Sequence, residues 1–416
     1  MSRLSLSEWL DALQSQHPTE IDLGLDRVSA VADAMGLLAA PPTTVTVAGT
    51  NGKGSVVSVL SRVLSHSGLC VGRYMSPHLL RFNERVCIND REVEDAHLVA
   101  AFEAIEQARG DVSLTYFEAA TLAALSIFHA HQVDVQILEV GLGGRLDAVN
   151  ILDADLTVIT SIGLDHTDWL GEDRSQIALE KAGVARRGQP CVVAEPDPPS
   201  SLAAFLTSLG AEVTWINRHW RVEADRVHTS DGQTYDVSPP TGLLPQNVGA
   251  AVEALSRLSG FALSPAVLGA LSSISVHGRL SLHRFEGRDV LLDVAHNAES
   301  VAQLSRYLAD HPVAGKTRAL FGVMGDKPIH DMIHHCSAII DEWNLIDLSH
   351  VPRAMAPQNV ASLLQDENLA DMGVFSDLWP TVRARTTERD RIVVFGSFFS
   401  VGEALAVLDA GSKNGG

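Results

Sequence analysis

The chain has 416 residues, which is too long for one ordinary hydrophobic core and predicts two domains. It carries 51 acidic against 31 basic residues, a formal net charge of −20. This charge argues against a nucleic acid or an anionic membrane as a partner, because both require a basic face. A single nucleotide is not excluded, since it needs only a few local donors and a metal ion.

Short β-branched runs alternate with amphipathic helical segments, which predicts an α/β fold with a mostly parallel sheet. The first strands are predicted at 44–49, 133–141, 155–163 and 189–196, with helices in SVVSVLSRVLSHSG and YFEAATLAALSIFHAH. Residues 211–245 contain shorter alternating stretches, starting with EVTWIN. They predict a small β insertion with a hairpin turn at Asp231-Gly232.

A second α/β round is predicted from strands at 289–296, 317–326 and 390–398. The polar stretch HRFEGRD is expected to be the turn that ends the first domain, which gives domains at 1–284 and 285–416. Several strands run directly into polar, glycine-bearing motifs. In open α/β sheets, ligands bind beyond the carboxyl ends of the strands, so these motifs are the candidate site.

The first such motif is VTVAGTNGKGSVVSVL, a strand that leads through Gly49-Thr50-Asn51-Gly52-Lys53-Gly54-Ser55 into a helix. Its glycines leave backbone N–H groups free to face an anion, the helix start adds its dipole, and Lys53 can reach the β- and γ-phosphates of a nucleotide. The spacing departs from the common phosphate loop, because Gly54 separates Lys53 from Ser55. The alternative is a tight strand-to-helix turn with a surface lysine.

Three later motifs contribute polar side chains near strand ends. Glu139 opens EVGLGGRLDAVN and is a suitable oxygen ligand for Mg²⁺; the alternative is a glycine-rich loop with a structural Arg145–Asp147 pair. His166 lies in SIGLDHTDWLG, where a packed or capped imidazole is the alternative, because Mg²⁺ prefers oxygen. Lys181 lies in EKAGV, where a solvent-exposed lysine is the alternative.

Taken together, these motifs carry a resemblance. The chain resembles the folylpolyglutamate synthase family, which belongs with the Mur ligases, in motifs that occur in the expected order: AGTNGKGS, SPHLLRFNERV, SLTYFEAATLAAL, EVGLGGRLDAVN, SIGLDHTDWLG, EKAGV, HGR, DVAHN and GVMGDKP. The likeness runs from Trp9 to Ala406, and the phosphate loop of that family has the same variant spacing.

The resemblance implies a Mur-ligase-like phosphate-loop ATPase domain with a mostly parallel sheet, followed by a smaller Rossmann-like α/β domain. It also implies an ATP-dependent ligase that adds L-glutamate to dihydropteroate and to tetrahydrofolate derivatives through an acyl phosphate. ATP would be a co-substrate, the cofactors would be two Mg²⁺ ions and a monovalent cation, and the protein would be a monomer. The four scattered cysteines and the lack of a signal peptide or an apolar membrane span predict a cytoplasmic location.

The resemblance assigns roles to individual residues. ATP would be bound by Asn51, Gly52, Lys53, Gly54, Ser55, Asn247, Arg279 and Asp293. The metal ligands would be Ser76, Glu139, His166 and Lys181, the last as a carbamate. The catalytic residues would be Lys53, His166, Lys181 and His296, with Asn297 beside the last. The pterin would be bound by Asp22, Leu23, Gly24, Leu25, Arg81, Thr115, Tyr116, Phe117, Glu118, Asp147 and Ala148.

Three positions depart from the family pattern, with His277, Ala298 and Phe399 where relatives carry proline, proline and histidine. Three other functions compete. A folylpolyglutamate synthase without dihydropteroate activity would share all of these motifs. A Mur-type ligase of UDP-linked peptides would carry an extra domain before the loop, for which residues 1–48 leave no room. A phosphate-loop switch or motor would not explain the TYFE segment.

Overall fold

The computed structural model describes residues 4–19, 21–240, 242–274, 276–364 and 368–414, without the side chains of 411–414. The chain divides into two compact units, residues 1–274 and 275–416. Each unit is built around its own sheet.

The N-terminal unit contains an eight-stranded sheet in the order β4-β3-β2-β5-β1-β6-β7-β8. Its strands are β1 Thr43–Ala48, β2 Val71–Tyr74, β3 Val86–Ile88, β4 Arg91–Glu92, β5 Val135–Glu139, β6 Leu156–Ile159, β7 Pro190–Val193 and β8 Glu212–Trp215. Six strands run parallel, and β3 and β4 pair antiparallel at one edge. The central strands β5 and β6 are buried along their whole length, as expected for a parallel sheet covered on both faces.

The helices of this unit are α1 Leu6–Gln16, α2 Asp26–Ala34, α3 Lys53–His66, α4 Asp95–Arg109, α5 Tyr116–Ala130, α6 Thr167–Leu170, α7 Arg174–Ala182, α8 Ser200–Leu209, α9 Pro245–Arg257 and α10 Pro265–Leu268. Short 3₁₀ helices lie at Phe82–Arg85, Ala148–Ile151 and Gly269–Ser273. The predicted strands at 44–49, 133–141, 155–163 and 189–196 and the two helices between them are confirmed.

The predicted β insertion is only partly correct. A small antiparallel sheet is formed by β9 Arg221–Glu223, β10 Arg226–His228 and β11 Thr234–Asp236, and the hairpin turn at Asp231-Gly232 joins the last two. EVTWIN does not belong to it, because β8 pairs parallel with β7 at the edge of the large sheet. Val213 and Trp215 explain this placement, since both pack against the core cluster that contains Ile159 and Val193.

The C-terminal unit contains a six-stranded sheet in the order β12-β13-β17-β14-β15-β16, antiparallel only between β12 and β13. Its strands are β12 Ser281–Phe285, β13 Arg288–Leu292, β14 Thr317–Phe321, β15 Glu342–Ile346, β16 Leu369–Gly373 and β17 Arg391–Phe395. Its helices are α11 Ala298–Asp310, α12 Ile329–Cys336, α13 Pro357–Leu363, α14 Phe375–Arg385 and α15 Phe398–Asn414. The mostly parallel α/β architecture of both units is confirmed.

The boundary expected at 284/285 is corrected to 274/275. HRFEGRD does not separate the two units, because β12 and β13 form a hairpin with Phe285 opposite Arg288. Both turn residues, Glu286 and Gly287, have positive φ values of 49° and 78°, as the favoured two-residue hairpin turn requires. Arg279 therefore belongs to the C-terminal unit. Among the described residues, no helix has the length and apolar character that crossing a bilayer requires.

Candidate active site

The phosphate-loop candidate joins the end of β1 to the start of α3 and is held by hydrogen bonds to the end of β6. The N–H of Thr50 donates to the carbonyl of Ser161 at 2.8 Å, and the N–H of Asn51 donates to the Ser161 hydroxyl at 3.0 Å. The Thr160 hydroxyl donates to the carbonyl of Asn51 at 2.7 Å. These bonds fix the loop at the carboxyl edge of the parallel sheet, where α3 begins with its positive dipole end.

Gly52 brings a predicted ATP-binding residue to the loop. Its φ of 88° lies in the left-handed region, and a Cβ built on it would lie 2.6 Å from both amide atoms of Asn247. Asn247 is buried near the start of α9. Only glycine can adopt this conformation with so close a neighbour. Gly52 and Asn247, which are far apart in the sequence, are therefore in direct contact.

Two lysines point to one backbone carbonyl of the loop. Lys53 Nζ donates to the carbonyls of Gly49 at 3.0 Å and Thr50 at 3.2 Å, and Lys181 Nζ donates to the carbonyl of Gly49 at 3.1 Å. Lys181 is 4% exposed, so the solvent-exposed alternative is wrong. Burial, and then the charge of Lys53, lower the pKa of Lys181 to about 7, although Asp165 and Asp147 act in the opposite direction.

The glycine-rich loop after β5 holds Lys181 in this position. A Cβ on Gly144 would lie 2.8 Å from the Glu180 carbonyl and 3.1 Å from Lys181 Cα, so the loop can pack this closely on α7 only with glycine. Arg145 then binds Glu180 twice, through its N–H to the backbone carbonyl at 2.8 Å and through its guanidinium to the carboxylate at 2.8 Å. The Arg145–Asp147 pair considered above is therefore replaced by Arg145–Glu180.

Asp147 is instead held by backbone groups. Its carboxylate accepts the N–H of Leu142 at 2.8 Å and that of Val149 at 3.0 Å, and Ala148 begins the 3₁₀ helix that follows. Burial raises the pKa of Asp147 to about 6, although these hydrogen bonds and the charge of Lys53 lower it. Asp147 thus lies within electrostatic reach of both lysines.

Two predicted metal ligands lie together beside the loop. Glu139 is the last residue of β5 and is 4% exposed, and its Oε2 would be 3.8 Å from a Cβ on Gly54. The N–H of Ser76 approaches the same oxygen at 3.4 Å. A buried carboxylate beside the loop and close to the backbone of Ser76 suits a hard divalent cation.

His166, the third predicted ligand, precedes α6 in a left-handed conformation with φ 52°. Its N–H donates to the Asp165 carboxylate at 2.9 Å. The segment leading to it is tied to the phosphate loop, because the N–H of Gly163 donates to the Thr50 hydroxyl at 3.0 Å. Within the described part of the chain, no three His, Cys, Asp or Glu side chains are grouped as a metal site, and the predicted set contains only two such residues.

The two segments predicted to bind pterin are joined by a residue that sequence reasoning missed. The Arg27 guanidinium lies 2.8 Å from the Asp22 carboxylate and 3.2 Å from the Glu118 carboxylate. Glu118 also accepts the N–H of Thr115 at 2.8 Å, while the Thr115 hydroxyl accepts the N–H of Glu118, in a capping box at the start of α5. Leu23, Gly24 and Leu25 are half-buried beside Asp22.

Aromatic side chains continue from the start of α5. Phe117 lies 6.0 Å from the Tyr74 ring and Tyr116 lies 5.9 Å from the Phe82 ring. The guanidinium of Arg85, 9% exposed, stands over Phe82 and Tyr116 at 5.4 and 5.5 Å. Sequence reasoning gave Arg85 no role of its own, although the motif SPHLLRFNERV contains it.

Arg85 also donates from Nε to His78 Nδ1 at 2.8 Å. Burial and then the Arg85 charge lower the pKa of His78 to about 4, so the imidazole is neutral at pH 7 and can accept this bond. The loop before Arg85 is organised by Glu84, whose carboxylate accepts the N–H groups of Leu79, Leu80 and Arg81 at 2.6 to 2.7 Å. The exposed Arg81 guanidinium pairs with Asp95 at 3.2 Å.

The C-terminal unit gathers its own predicted residues at the end of β13. Asp293 is buried and accepts the N–H groups of Leu280 at 2.8 Å and Ala295 at 2.7 Å. Burial raises its pKa, although Arg279 lowers it. The Arg279 guanidinium lies 5.7 Å from the Phe398 ring, and the His296 imidazole lies 6.0 Å from that ring.

His296 Nδ1 donates to the carbonyl of Val294 at 2.8 Å, which fixes the orientation of the ring. Asn297 is the N-cap of α11 and accepts the N–H of Ser300 at 2.9 Å. Asn297 therefore has a structural role as a helix cap.

Comparisons with known proteins cover the whole chain. A family model described as Mur ligase, glutamate ligase domain, matches residues 278–398. The dihydrofolate synthase/folylpolyglutamate synthase of Escherichia coli is 39% identical over 413 residues, covering 99% of this chain and 97% of the relative.

Solved structures agree. The structure of E. coli FolC in complex with DHPP and ADP is 38% identical with a TM-score of 0.93, and the alignment covers 98% of each chain. The Yersinia pestis folylpolyglutamate synthase/dihydrofolate synthase with Mn, AMPPNP and L-glutamate bound is 40% identical with a TM-score of 0.90, again over 98% of each chain. Both structures contain a nucleotide in an enzyme of this fold.

Proposed function

We infer that this chain, which belongs to the dihydrofolate synthase/folylpolyglutamate synthase family, is an ATP-dependent ligase that adds L-glutamate to dihydropteroate, giving dihydrofolate, and to reduced folates, giving folylpolyglutamates. The observation that carries this conclusion is the 39% identity over 99% of the chain to an enzyme named for both activities. The phosphate-loop candidate at the carboxyl edge of a parallel sheet supports this proposal, because such a loop suits the nucleotide that the ligase requires.

The chemistry explains why ATP is needed. A carboxylate is a poor acyl donor because its leaving group would be oxide. In the first step, a carboxylate oxygen of the pterin substrate attacks the γ-phosphorus of ATP and ADP leaves. In the second, the amine nitrogen of glutamate attacks the acyl carbon, phosphate leaves, and the amine loses its proton. Both steps depend on positioning and charge neutralisation rather than on a protein nucleophile.

We propose that the loop residues 51–55 receive the ATP phosphates. Lys53 would exchange its bonds to the carbonyls of Gly49 and Thr50 for bonds to the β- and γ-phosphates. The close approach of Asn247 to Gly52 supports a contact between Asn247 and the nucleotide. In the C-terminal unit, the grouping of Arg279 with Asp293 and His296 supports a role in binding nucleotide or glutamate.

We propose that Ser76, Glu139 and His166 hold Mg²⁺. The burial of Glu139 beside the loop and the approach of Ser76 to its carboxylate support this set. The oxygen donors suit Mg²⁺, and the imidazole would complete a mixed set. When bound, the ion would neutralise charge on the transferred phosphoryl group. A second Mg²⁺ and a monovalent cation stay predictions.

We propose that Lys181 is carbamylated. Two ammonium groups directed to one carbonyl repel each other, and the lowered pKa of about 7 leaves much of Lys181 as the neutral amine at neutral pH. The neutral nitrogen can attack the carbon of CO₂ and lose a proton, which gives a carbamate. This change replaces a repelled cation by an anion beside Lys53 and provides two oxygens for a metal ion.

We propose that the pterin lies against Asp22–Leu25, Thr115–Glu118, and Asp147 with Ala148. Support comes from the ion pairs that join the first two segments and from the aromatic rings that continue from Tyr116 and Phe117. Arg81 stays a predicted contact of the loop that precedes Arg85. A cytoplasmic monomer likewise stays a prediction; light scattering on purified protein would measure the mass directly.

The proposal is tested by ADP release from purified protein with ATP, Mg²⁺ and L-glutamate, comparing dihydropteroate with tetrahydrofolate. We expect each pterin to stimulate release and each product to be one glutamate heavier by mass spectrometry. Stimulation by tetrahydrofolate alone would restrict the enzyme to folylpolyglutamate synthesis. ADP release that ignores both pterins would refute the assignment.

A further inference from the structure

Arg27 makes one side-chain bridge between two distant parts of the chain. Its Nη1 lies 2.8 Å from Asp22 Oδ2, and its Nη2 donates to the backbone carbonyl of Asp22 at 2.8 Å. The same Nη2 lies 3.2 Å from Glu118 Oε1. Arg27 is the second residue of the helix α2, Asp22 lies in the segment before that helix, and Glu118 lies in the first turn of α5.

The bridge is charged, and it is shielded from water on the side of Arg27 and Glu118, while the Asp22 side chain is 41% exposed. The Glu118 side chain is 4% exposed and the Arg27 side chain 27% exposed. The second carboxylate is supported from its other side, because His17 Nε2 lies 3.2 Å from Asp22 Oδ2 while His17 Nδ1 lies 3.0 Å from the Ser113 hydroxyl. A buried carboxylate without a nearby cation would be costly, so Arg27 determines where Glu118 can lie.

One donor and one acceptor atom of this bridge have no hydrogen-bond partner. Arg27 Nε and Glu118 Oε1 are buried and neither makes a hydrogen bond, since the 3.2 Å contact between the two side chains is not aligned as one. Buried polar atoms are usually satisfied, and an unsatisfied pair of a donor and an acceptor indicates a place for a polar ligand. The segment beside them borders open space, because a Cβ built on Gly24 would meet nothing within 4 Å.

We propose that Arg27 is the positioning residue of the pterin pocket, holding the Asp22–Leu25 segment and the start of α5 at the separation that admits the flat pterin ring. This inference rests on the proposed function. Arginine suits the task because its planar fork can bond two carboxylates and a carbonyl at once, whereas the ammonium of lysine is a single point charge. Arg27 acts through Asp22 and Glu118 rather than on the reacting carboxylate.

This role predicts that loss of Arg27 changes the KM for the pterin and does not change kcat. Removing the bridge leaves the two segments tied through the His17 contacts with Asp22 and Ser113. They are then held less firmly before substrate binds, so pterin affinity falls, while the phosphate loop keeps its own hydrogen bonds to the end of β6. Once bound, the pterin restores the spacing and the chemical step proceeds. A change in binding that does not reach the transition state raises KM and leaves kcat unchanged.

The test is steady-state ADP release by Arg27→Met and Arg27→Lys, with dihydropteroate varied at saturating ATP and glutamate, and then with ATP varied. We expect the KM for dihydropteroate to rise about tenfold in Arg27→Met and about threefold in Arg27→Lys, with kcat and the KM for ATP within about twofold of wild type. Lysine keeps the positive charge of Arg27 but not its planar guanidinium. The difference between the two variants therefore separates the effect of losing the charge from the effect of losing the geometry.

The matched control is Arg109→Met. Arg109 has a similarly shielded side chain, 19% exposed, and pairs at 2.6 Å with Glu106 on its own helix, so it joins no two segments of the pocket. It should keep the wild-type KM for dihydropteroate. If Arg27→Met does not fold, as judged by thermal unfolding, the kinetics of Arg27→Lys decide in the same way.

An unchanged pterin KM in a folded Arg27 variant would overturn this inference and leave the proposed function intact. So would a fall in kcat without a change in the pterin KM. A wild-type protein that releases no ADP in response to either pterin would overturn the proposed function, and this inference with it.

Discussion

In the phosphate-loop candidate, backbone groups make most of the contacts, whereas two of the segments proposed to bind pterin are joined by the side chains of Arg27, Asp22 and Glu118. The loop is held by N–H and carbonyl groups of Thr50 and Asn51 against β6. The proposed pocket depends on ion pairs of 2.8 and 3.2 Å and on the edge-to-face contact of Tyr116 with Phe82. The loop is therefore sensitive to backbone shape and the pocket to charge, and substitutions should separate the two.

The largest effect is expected at Lys181. If its carbamate stabilises the transferred phosphoryl group, Lys181→Ala should lower kcat about 10²- to 10³-fold, as loss of one preorganised charged group commonly does. Lys181→Arg should be as poor, because it keeps the positive charge but cannot take up CO₂. Bicarbonate or acetate should restore part of the activity of the alanine variant by occupying the vacated space.

These activities are measured as pterin-dependent ADP release, with Lys316→Ala, an exposed lysine of the C-terminal unit, as the control. Full activity of Lys181→Arg would contradict the carbamate.

The next effect tests backbone shape directly. Gly52→Ala should raise the KM for ATP more than tenfold, because the alanine must adopt φ 88° and its Cβ would collide with Asn247 at 2.6 Å. Gly68→Ala is a matched control, since Gly68 also has a positive φ, 93°, but an added Cβ meets nothing within 4 Å. It should lose about 1 kcal/mol of unfolding free energy in urea and keep its KM for ATP.

The comparison would fail if Gly52→Ala and Gly68→Ala bound ATP equally well. In that case the contact with Asn247 would have no bearing on the nucleotide site.

A substitution in the proposed pterin pocket should have a smaller effect, and on the KM for the pterin rather than the KM for ATP. Arg85→Met removes a buried guanidinium from the faces of Phe82 and Tyr116, and should raise the KM for dihydropteroate about fivefold while leaving the KM for ATP unchanged. Arg62→Met is the control, because Arg62 is 40% exposed and pairs with Asp90 at 3.3 Å. Equal changes in both KM values for Arg85→Met would show that loop and pocket are not separable.

The smallest effect is a pH dependence of stability from Asp147. Its carboxyl has a pKa near 3.8 when unfolded and about 6 when folded, so the charged form is disfavoured in the native state. The native protein binds the extra proton between these values, and its stability therefore rises as pH falls from about 6 towards 3.8.

The measurement is urea unfolding of wild type and Asp147→Asn. Between pH 7 and pH 5, wild type should gain about 1 kcal/mol of unfolding free energy relative to the variant. A constant difference across this range would contradict a raised pKa.

The strand, loop and helix of the phosphate-loop candidate and the strands around it could be predicted because their signals are local. Glycines, a lysine and a helical pattern stand next to one another in VTVAGTNGKGSVVSVL, and alternation or β-branching marks each strand. The role of Glu139 was predicted from its place at a strand end, whereas those of Lys181 and Asn247 came from the family resemblance. The structure explains the proximity of Lys181 and Asn247 to these loops through close approaches at Gly144 and Gly52.

Other features depend on contacts that local patterns do not contain. Arg27 reads as an ordinary residue in the first turn of a helix, and its partner Glu118 lies far along the chain. EVTWIN has the alternation of a β insertion, and only the packing of Val213 and Trp215 assigns β8 to the large sheet. HRFEGRD forms a hairpin turn, but a domain linker would be equally polar. The boundary was therefore predicted after residue 284, ten residues beyond its position after residue 274.

The order of strands in the C-terminal sheet has a consequence for aggregation of the protein in solution. The edge strand β16 pairs with β15, and Leu369 and Met372 on it are 38% and 42% exposed. An edge with unpaired backbone groups and apolar side chains is a template for self-association on heating or at high concentration. By contrast, the edge strand β4 of the large sheet has only two residues, Arg91 and Glu92. β16 should therefore contribute to aggregation of this enzyme, as should the opposite edge strand β12 with Leu282 53% exposed, and Met372→Lys should delay the rise in light scattering without affecting ADP release.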